Sequence, residues 1–346
     1  MKHILIIVML LVGWALPTFL SNGCNPRTHI YKRSQLLMGT IVEITVAARN
    51  EQKADEAINA AFKEIGRLET IMSTYKPESD ISRINSAAGL SPVKVHKDLI
   101  LAVKKSLQFA DLSGGAFNIA IGPAIDLWNV TESEDIPTPA ELAVIRPLID
   151  YKNVIVNEDD GTIFLTKKGM RINLGGIGKG IAADYAHNIL KTYGISSGII
   201  AVAGDLHAIG KKPDGSKWTI GITHPREKDS TVAKVHLQDS AISTSGDYQR
   251  FFMKNGVRYH HILSPETLYP SNGFQSVSVM AGDSTTTDAL STAIFAMGPE
   301  NGIRLIENLE GVEAVIVRAN GSIWMSPGLK DSPDIKIELT PQDISD

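Results

Sequence analysis

The sequence is poor in cysteine: only Cys24 carries a thiol among 346 residues, so no disulfide can form within the chain. It also lacks a basic excess, with 34 Lys and Arg against 38 Asp and Glu, which argues against a duplex-binding domain. No apolar run after residue 20 is long enough to span a bilayer. The hydrophobic share of 43% and the net charge of −4 exclude a disordered chain. We therefore predict a globular protein with no nucleic-acid partner.

Residues 1–23 have the features of an export signal, because Lys2 supplies a positive start and an uncharged apolar run follows it. Cys24 comes directly after this run, as does the acylated first residue of a bacterial lipoprotein. Ser21 stands where the usual lipobox has an aliphatic residue, and the alternative is a plain secretory signal with an incidental cysteine. We expect a signal peptide, a lipidated tether at residues 24–33, and anchoring to the cytoplasmic (inner) membrane, facing the periplasm or the cell exterior.

Residues 34–330 contain no internal repeat and no low-complexity linker, so we predict one compact domain there and a polar C-terminal tail at 331–346. The hydrophobic spacing predicts helices over 54–72, from a cap at Asp98 to Gly114, and over 180–193. It predicts strands at 41–46 and 197–204, and hairpins at 153–166, Asn255-Gly256 and Asn320-Gly321. Strands outnumber helices and do not alternate with them. This pattern favours an α+β fold, with mixed or antiparallel sheets and flanking helices, over a doubly wound parallel sheet.

A glycine cluster, NLGGIGKG at residues 173–180, follows a strand-like segment and opens the third predicted helix. Backbone N–H groups at a helix start, with Lys179 among them, form an anion-binding site. The Walker A pattern fails, since Asn173 and Gly180 stand where it needs Gly and Ser or Thr. A G-x-G-x-x-A match leaves a dinucleotide oxidoreductase open, although the acidic residue expected about 20 residues later is missing. A purely structural strand-to-helix turn is the other alternative.

Asp288 and Thr292 are four residues apart at the start of an apolar helix, so they share one face of it. Carboxylate and hydroxyl oxygens are hard ligands that suit Mg²⁺. The alternative is ordinary capping of the helix N-terminus by Ser, Thr and Asp.

Arg250 and His261 flank a predicted hairpin, so they can lie on adjacent strands. An arginine can neutralise a phosphate, and an imidazole can accept a proton. The alternative is a polar sheet face with a satisfied histidine. Taken together, an anion-binding site, a carboxylate and hydroxyl pair that suits Mg²⁺, an arginine and a candidate base are suited to phosphoryl-group chemistry.

Eight motifs occur in one order along the chain. They are Met38-Gly-Thr40, Met72-Ser-Thr-Tyr75, the segment 113–119, NLGGIGKG, Ala203-Gly-Asp205, the segment 243–250, His261-Ile-Leu-Ser-Pro265, and Asp288 with Thr292. In this order they resemble the ApbE family of FAD:protein FMN transferases, from about Leu36 to Lys330. The resemblance implies a single ApbE-like domain.

The resemblance also implies a Mg²⁺-dependent reaction. FAD is cleaved at its pyrophosphate, FMN is attached through a phosphoester to a Thr or Ser hydroxyl of a target flavoprotein, and AMP leaves. The implied partners are FAD as substrate and an acceptor flavoprotein subunit of a membrane redox complex. Two alternatives stay open: a FAD pyrophosphatase that gives FMN and AMP, and a flavin-binding lipoprotein without turnover.

The family motifs assign roles to residues of this chain. The implied FAD contacts are Met38, Tyr75, Ala116, Phe117, Asn118, Asn173, Lys179 and Leu263. The implied Mg²⁺ ligands are the Gly176 carbonyl, Asp288 and Thr292. The implied catalytic residues are His261 as base, Asp288 and Arg250.

The chain departs from the family pattern at four of these motif positions. Asn173 stands where many members have Asp, and Ala203 replaces the first Gly of a frequent Gly-Gly-Asp. Ser264 stands where members usually have Asp, and Leu268 stands where they usually have Gly. Ser264 and Leu268 follow the implied base closely in sequence.

Overall fold

In the computed structural model, residues 28–331 and 338–339 are described. The helices are α1 (Glu51–Met72), α2 (Asp80–Ser86), α3 (Lys97–Leu112), α4 (Gly122–Trp128), α5 (Pro139–Ile145), α6 (Gly178–Thr192), α7 (Ser284–Met297), α8 (Pro299–Glu307) and α9 (Gly328–Asp331). The predicted signal peptide and Cys24 lie outside the described residues. Of the helices that are described, none has the length and apolar character needed to cross a membrane.

The strands are β1 (His29–Leu37), β2 (Thr40–Ala48), β3 (Val93–Lys94), β4 (Val154–Asn157), β5 (Thr162–Leu165), β6 (Gly198–Val202), β7 (Asp205–Ile209), β8 (Trp218–Thr223), β9 (Thr231–Leu237), β10 (Ser240–Gly246), β11 (Phe251–Lys254), β12 (Val257–His260), β13 (Phe274–Ala281), β14 (Glu313–Arg318), β15 (Ile323–Met325) and β16 (Glu338–Leu339).

The largest sheet has eight strands in the order β1-β2-β6-β7-β10-β13-β14-β15. Three smaller sheets have the orders β11-β12, β16-β9-β8 and β3-β5-β4. Every strand pair among the described residues is antiparallel. This confirms the α+β prediction. It also removes the dinucleotide oxidoreductase from consideration, because that fingerprint needs a parallel βαβ unit.

The core lies between the large sheet and a layer formed by α1, α6 and α7. Strand β2 contributes Val42, Ile44 and Val46, which alternate along the strand and are fully buried. Helix α1 buries the apolar positions that recur every three or four residues, from Ala54 to Met72. The small β8–β9 sheet covers the opposite face with a second apolar cluster, which includes Trp218 and Leu237.

Helices α6 and α7 approach each other most closely at Gly180. A Cβ atom there would lie 2.2 Å from the carbonyl oxygen of Ser284 and 2.8 Å from Cβ of Asp288. No larger residue fits, so the absence of a side chain at this position lets the first turns of the two helices touch. This contact places the glycine cluster directly against Asp288.

The predicted helices, hairpins and strands are present, but three details differ. Asp98 does not cap α3; His96 Nδ1 accepts the hydrogen bond from Asp98 N at 3.1 Å, while the buried Asp98 carboxylate pairs with Arg67 at 2.5 Å. Residues 29–33, assigned above to a tether, already belong to β1, which pairs with β2 along its whole length. Residues 338–339 of the predicted polar tail pair with β9.

Ala203 is expected to be a strained position, since it opens the two-residue β6–β7 turn with a φ of +56°. A side chain costs roughly 1–2 kcal/mol in this left-handed region, and glycine escapes that cost. Ala203→Gly should therefore raise the free energy of unfolding by about 1 kcal/mol, measured by urea denaturation. Ala201→Gly, inside β6, is the control and should lower it. Equal losses in both variants would contradict the strain at Ala203.

Candidate active site

The first turn of α6 carries a lysine that joins two carboxylates from different elements. Lys179 Nζ pairs with Asp205, at the start of β7, and lies 3.2 Å from Oδ1 of Asp288 on α7. The backbone N–H of Gly180 donates to Oδ2 of Asp288 at 2.9 Å. Both carboxylates are 2% exposed. These three charged groups, the Lys179 cluster, lie where the N-termini of α6 and α7 meet the start of the central strand β7.

The Lys179 cluster carries one excess negative charge when its three groups are ionised, because two carboxylates face one ammonium group. Burial, followed by the charge of Asp205, raises the pKa of Asp288 well above its usual range, although Lys179 opposes this shift. Burial alone would lower the pKa of Lys179, but the two carboxylates raise it, so the ammonium stays charged. A cation beside Asp288 would relieve the excess negative charge.

Further oxygen atoms lie next to Asp288 along α7. Thr292 is one turn away on the same face, and its Oγ1 lies 3.3 Å from Oγ of Ser245 on β10. A Cβ atom on Gly176 would lie 3.1 Å from Thr292 Oγ1, so the glycine cluster reaches this hydroxyl. The structure thus brings together the three residues that the resemblance assigned to Mg²⁺.

This oxygen set fits Mg²⁺ rather than a softer metal. Within residues 28–331 and 338–339, no group of three or more His, Cys, Asp or Glu side chains could hold a metal. A cation here would take one carboxylate, a hydroxyl and a carbonyl, and Mg²⁺ is commonly bound by one or two carboxylates with phosphate oxygens and waters completing its shell. The excess negative charge of the Lys179 cluster would favour a cation at this position.

His261 follows β12, and its neighbours fix the state of its ring. Nδ1 lies 3.3 Å from the carbonyl oxygen of Arg250, and the His261 backbone N–H donates to the same oxygen at 3.1 Å. Since a carbonyl can only accept, Nδ1 carries the proton and Nε2 keeps its lone pair. Burial, followed by the Arg250 charge, lowers the pKa of His261 to about 4, with a further contribution from Lys179. The imidazole is therefore neutral at pH 7.

Ser264 and Leu268, the two departures from the family pattern near His261, do not take part in the contacts between His261 and the Arg250 carbonyl. Ser264 closes its own loop, since its carbonyl accepts from Leu268 N at 2.7 Å and its hydroxyl accepts from Thr267 N at 3.4 Å. Leu268 has a φ of +62°, is fully buried, and receives Trp128 Nε1 at its carbonyl at 2.7 Å. The Arg250 carbonyl thus orients the His261 ring, and the Arg250 side chain is exposed.

A cleft of about 400 Å³ continues the site toward the other end of α7. It is lined by Ser113–Ala116, Asn118, Ile149–Tyr151, Ser264–Glu266, Ala296, Met297 and Asn301. Asp288, Thr292 and Ala296 are spaced four residues apart, so one face of α7 runs from the Lys179 cluster into the cleft in steps of about 6 Å. The Lys179 cluster and the cleft therefore lie along the same face of α7, about two helical turns apart.

Four of the predicted FAD contacts lie on turns or loops around these features. Met38 Cε would lie 3.8 Å from a Cβ on Gly178, so Met38 covers the glycine turn. Asn173 Oδ1 accepts from Gly175 N at 2.7 Å and shapes that turn. Ala116 and Asn118 line the cleft, and Asn118 Oδ1 accepts from Ala120 N at 2.9 Å.

The three larger predicted FAD contacts differ in exposure. Tyr75 is 88% exposed, so its ring is free to stack on a flat ligand. Phe117 is 2% exposed and packs edge-on against Phe109, while Leu263 is 7% exposed in the cluster around Trp128. The side chains of Phe117 and Leu263 therefore belong to the core, and only their backbone can face a ligand.

Sequence reasoning gave no role to three residues that the structure places at the site. Asp205 on β7 contacts Lys179, and Ser245 on β10 contacts Thr292. Both residues belong to the motifs named above, but no function was assigned to them. Tyr151 lines the cleft, and its hydroxyl donates to Asp111 Oδ1 at 2.9 Å. No local pattern marks Tyr151, because only the folded chain brings it to Gly115.

Known proteins are similar to this chain over most of its length. The model of the ApbE family matches residues 38–316. A protein of Treponema pallidum named FAD:protein FMN transferase is 31% identical over 328 residues, which is 90% of this chain and 91% of the relative. A protein of the same name from Klebsiella pneumoniae is 30% identical over 300 residues, 86% of this chain and 92% of the relative.

Solved structures show the same architecture. The ApbE protein from Thermotoga maritima superposes with a TM-score of 0.81 at 32% identity, over 87% of this chain and 98% of that one. The flavin transferase ApbE from Vibrio cholerae gives a TM-score of 0.78 at 26% identity, over 88% and 99% of the two chains. The chain therefore belongs to the ApbE family.

Proposed function

We propose that this protein transfers FMN from FAD to a Thr or Ser hydroxyl of an acceptor flavoprotein, in a Mg²⁺-dependent reaction that releases AMP. The observation that carries the proposal is the single face of α7, which joins the Lys179 cluster to the cleft. A pyrophosphate at the cluster and a ring system in the cleft match the two parts of FAD. The names of the relatives from Treponema and Klebsiella support flavin transfer to protein.

In this proposal the chain holds charge and positions the reactants. The N-terminus of α6, together with Lys179, faces the negative charge of the pyrophosphate. Asp288, Thr292 and the Gly176 carbonyl would hold Mg²⁺, which neutralises phosphate charge when it is bound. The pair of Lys179 with Asp205 keeps the ammonium group fixed while Asp288 serves the metal.

His261 supplies the proton acceptor. The acceptor hydroxyl oxygen forms a bond to the flavin-side phosphorus, and the bond from that phosphorus to the bridging oxygen breaks. The hydroxyl proton goes to Nε2 of His261, the nitrogen left free by the Nδ1 contact with Arg250. AMP leaves with the bridging oxygen, and the phosphoester remains on the acceptor.

The test is incubation of the protein with FAD, Mg²⁺ and a candidate acceptor, followed by intact-mass analysis of the acceptor and quantification of AMP. We expect the acceptor to gain one FMN for each AMP released, and an acceptor with Val in place of the target Thr to gain none. AMP with free FMN and an unmodified acceptor would instead identify a FAD pyrophosphatase. FAD binding without AMP would identify a flavin-binding protein without turnover.

Lipidation of Cys24 is part of the same proposal, and it rests on the position of this residue directly after Gly23, at the end of the segment that contains the apolar run of residues 4–20. The lipid would hold the enzyme on the outer face of the cytoplasmic membrane, beside acceptor subunits of membrane redox complexes. Cys24→Ser should move most of the protein from the membrane fraction to the soluble fraction after a carbonate wash, measured by immunoblot. Membrane retention of the variant equal to that of the wild type would contradict the anchor.

A further inference from the structure

We propose that Asp184 is a positioning residue that locks α7 against α6 and β7, so that Asp288 and Thr292 are held in place for the metal. This inference rests on the function proposed above. Asp184 lies on α6, one turn beyond Gly180, and nothing in the motif assignments gives it a role. Its carboxylate is the centre of a second polar cluster, the Asp184 cluster, formed with His207, Ser284 and Thr285.

The Asp184 carboxylate accepts four hydrogen bonds from two other elements. Oδ1 accepts from Nδ1 of His207 at 3.0 Å and from the backbone N–H of Ser284 at 2.8 Å. Oδ2 accepts from the backbone N–H of Thr285 at 2.9 Å and from its hydroxyl at 2.6 Å. A single side chain of α6 thus holds the first turn of α7 and the middle of β7.

The Asp184 cluster joins the same three elements as the Lys179 cluster. On α6 the step from Gly180 to Asp184 is four residues, and on α7 the step from Ser284 to Asp288 is also four. On β7, Asp205 and His207 are two residues apart and point to the same side of the sheet. Each step stays on the same face of its element, so the Asp184 cluster lies about one helical turn from the Lys179 cluster.

The charge of Asp184 suits this role. Burial opposes ionisation, but the hydrogen bonds from His207, Thr285 and Ser284 lower the pKa of Asp184 below its usual value. The carboxylate is therefore ionised at neutral pH and interacts favourably with the N-terminus of α7. His187 packs over His207 with 4.0 Å between ring centroids, and burial lowers its pKa to about 4, so it adds no charge.

Local capping of α7 does not require Asp184, because the helix has its own N-cap. Asp283 Oδ1 accepts from Thr286 N at 2.8 Å, and Oδ2 accepts from the Thr286 hydroxyl at 2.8 Å. Asp283 makes these bonds within one helix end, whereas Asp184 reaches across from α6. The two aspartates therefore form a matched pair for separating a cap from a link between elements.

The experiment compares Asp184→Asn with Asp283→Asn in the full-length chain. Mg²⁺ affinity is measured by calorimetry with FAD present and acceptor absent. Loss of a group that orients a metal ligand typically weakens metal binding by about 10–100-fold. We expect a loss of at least about 10-fold for Asp184→Asn and less than about 3-fold for Asp283→Asn, while FAD affinity without Mg²⁺ changes little in either. Equal Mg²⁺ affinities in the two variants would overturn the proposal.

A second readout needs no metal. The amide of Gly180 donates to Asp288, so its hydrogen exchange in the metal-free protein reports whether Asp288 keeps its position. Exchange at Gly180 should accelerate in Asp184→Asn and stay at the wild-type rate in Asp283→Asn. Unchanged exchange in Asp184→Asn would overturn the proposal.

A milder variant covers the case in which Asp184→Asn does not fold. Thr285→Val keeps the side-chain shape and removes one of the four hydrogen bonds to Asp184. It should weaken Mg²⁺ binding by about 3-fold and accelerate Gly180 exchange, and wild-type values for both would overturn the proposal. A wild-type protein that binds FAD and Mg²⁺ but transfers no FMN would contradict the proposed function alone, since none of these readouts involves an acceptor.

Discussion

Asp288→Asn is expected to lower the rate of FMN transfer by roughly 1,000-fold while the protein stays folded. Asp288 is the only carboxylate of the proposed metal set, and its loss would leave the charge of the pyrophosphate uncompensated. A bound metal supplies several kcal/mol of charge stabilisation, and each 1.36 kcal/mol corresponds to a factor of ten in rate. Three factors of ten therefore correspond to about 4 kcal/mol.

The amide of the variant also disturbs the contacts that Asp288 makes now. Lys179 Nζ and the Gly180 N–H are both donors, and they approach different oxygens of the carboxylate. An asparagine offers one oxygen and one NH₂ group, so one of the two donors would face another donor. Asp205 still pairs with Lys179, and this remaining ion pair keeps the lysine in place.

The measurement is AMP release with FAD, saturating Mg²⁺ and acceptor, with circular dichroism to verify folding. Asp283→Asn is the control, because it removes a carboxylate from the same helix end without touching Lys179. It should lower the free energy of unfolding by less than about 1 kcal/mol, because asparagine caps a helix about as well as aspartate, and it should keep its activity. Wild-type AMP release by Asp288→Asn would show that Asp288 only joins α7 to the start of α6 and is not needed for the reaction.

Local patterns predicted most of the fold, because helices and hairpins depend on neighbouring residues. The apolar spacing in α1 and the hairpins at 153–166 and Asn255-Gly256 needed no tertiary information, and Gly161 and Gly256, in the turns of these hairpins, have positive φ. The cap of α3 was predicted wrongly at Asp98. The Asp98 carboxylate pairs instead with Arg67, which lies 31 positions earlier on another helix. A partner so distant in the sequence leaves no local pattern.

The residues of the site were predicted motif by motif, and the structure shows which contacts bring these motifs together. Asp288 and Thr292 share a face by helical spacing alone. Their meeting with Lys179 depends on the close approach at Gly180, which the glycine cluster did not reveal as a helix–helix contact. The proton position on His261 depends on the Arg250 carbonyl, and no side-chain pattern encodes a backbone contact across a hairpin.

His261→Ala is expected to lower FMN transfer by roughly 100-fold or more, which is the usual scale for a lost general base. A protein hydroxyl is barely ionised at pH 7, so its proton must be accepted as it attacks phosphorus. FAD binding should persist in the variant, because the Lys179 cluster and the cleft do not depend on the imidazole. Fluorescence titration with FAD and AMP release with acceptor measure the two properties separately.

The pH profile adds a second signature of the base. The pKa of His261 is about 4 in the folded protein, so the ring binds its proton only as the pH falls through that value. We expect kcat/KM for the wild-type protein to be flat with respect to this group from pH 7 to about pH 5 and to fall below that. The acid limb assigned to the imidazole should disappear in His261→Ala.

The neighbouring histidine is the control for this substitution. His260 is 4% exposed, and both of its nitrogens are engaged: Nε2 lies 2.9 Å from the Ser271 carbonyl, and Nδ1 accepts from Ile262 N at 3.2 Å. His260→Asn should therefore lower the melting temperature but leave the transfer rate of the folded protein within a few-fold. Equal losses of transfer in both variants would show that the hairpin, and not the His261 lone pair, carries the effect.

The acceptor finally separates transfer from hydrolysis. Both reactions need FAD, Mg²⁺ and a base, and they differ only in which hydroxyl is held in line with the flavin-side phosphorus. Because the proposed transferase holds a protein hydroxyl at that phosphorus, we expect AMP release to be slow without acceptor and to rise when an acceptor with a Thr hydroxyl is added. The rise should be lost in His261→Ala. Equal AMP release with and without acceptor, with free FMN and no mass added, would mean that water takes the place of the protein hydroxyl at this base.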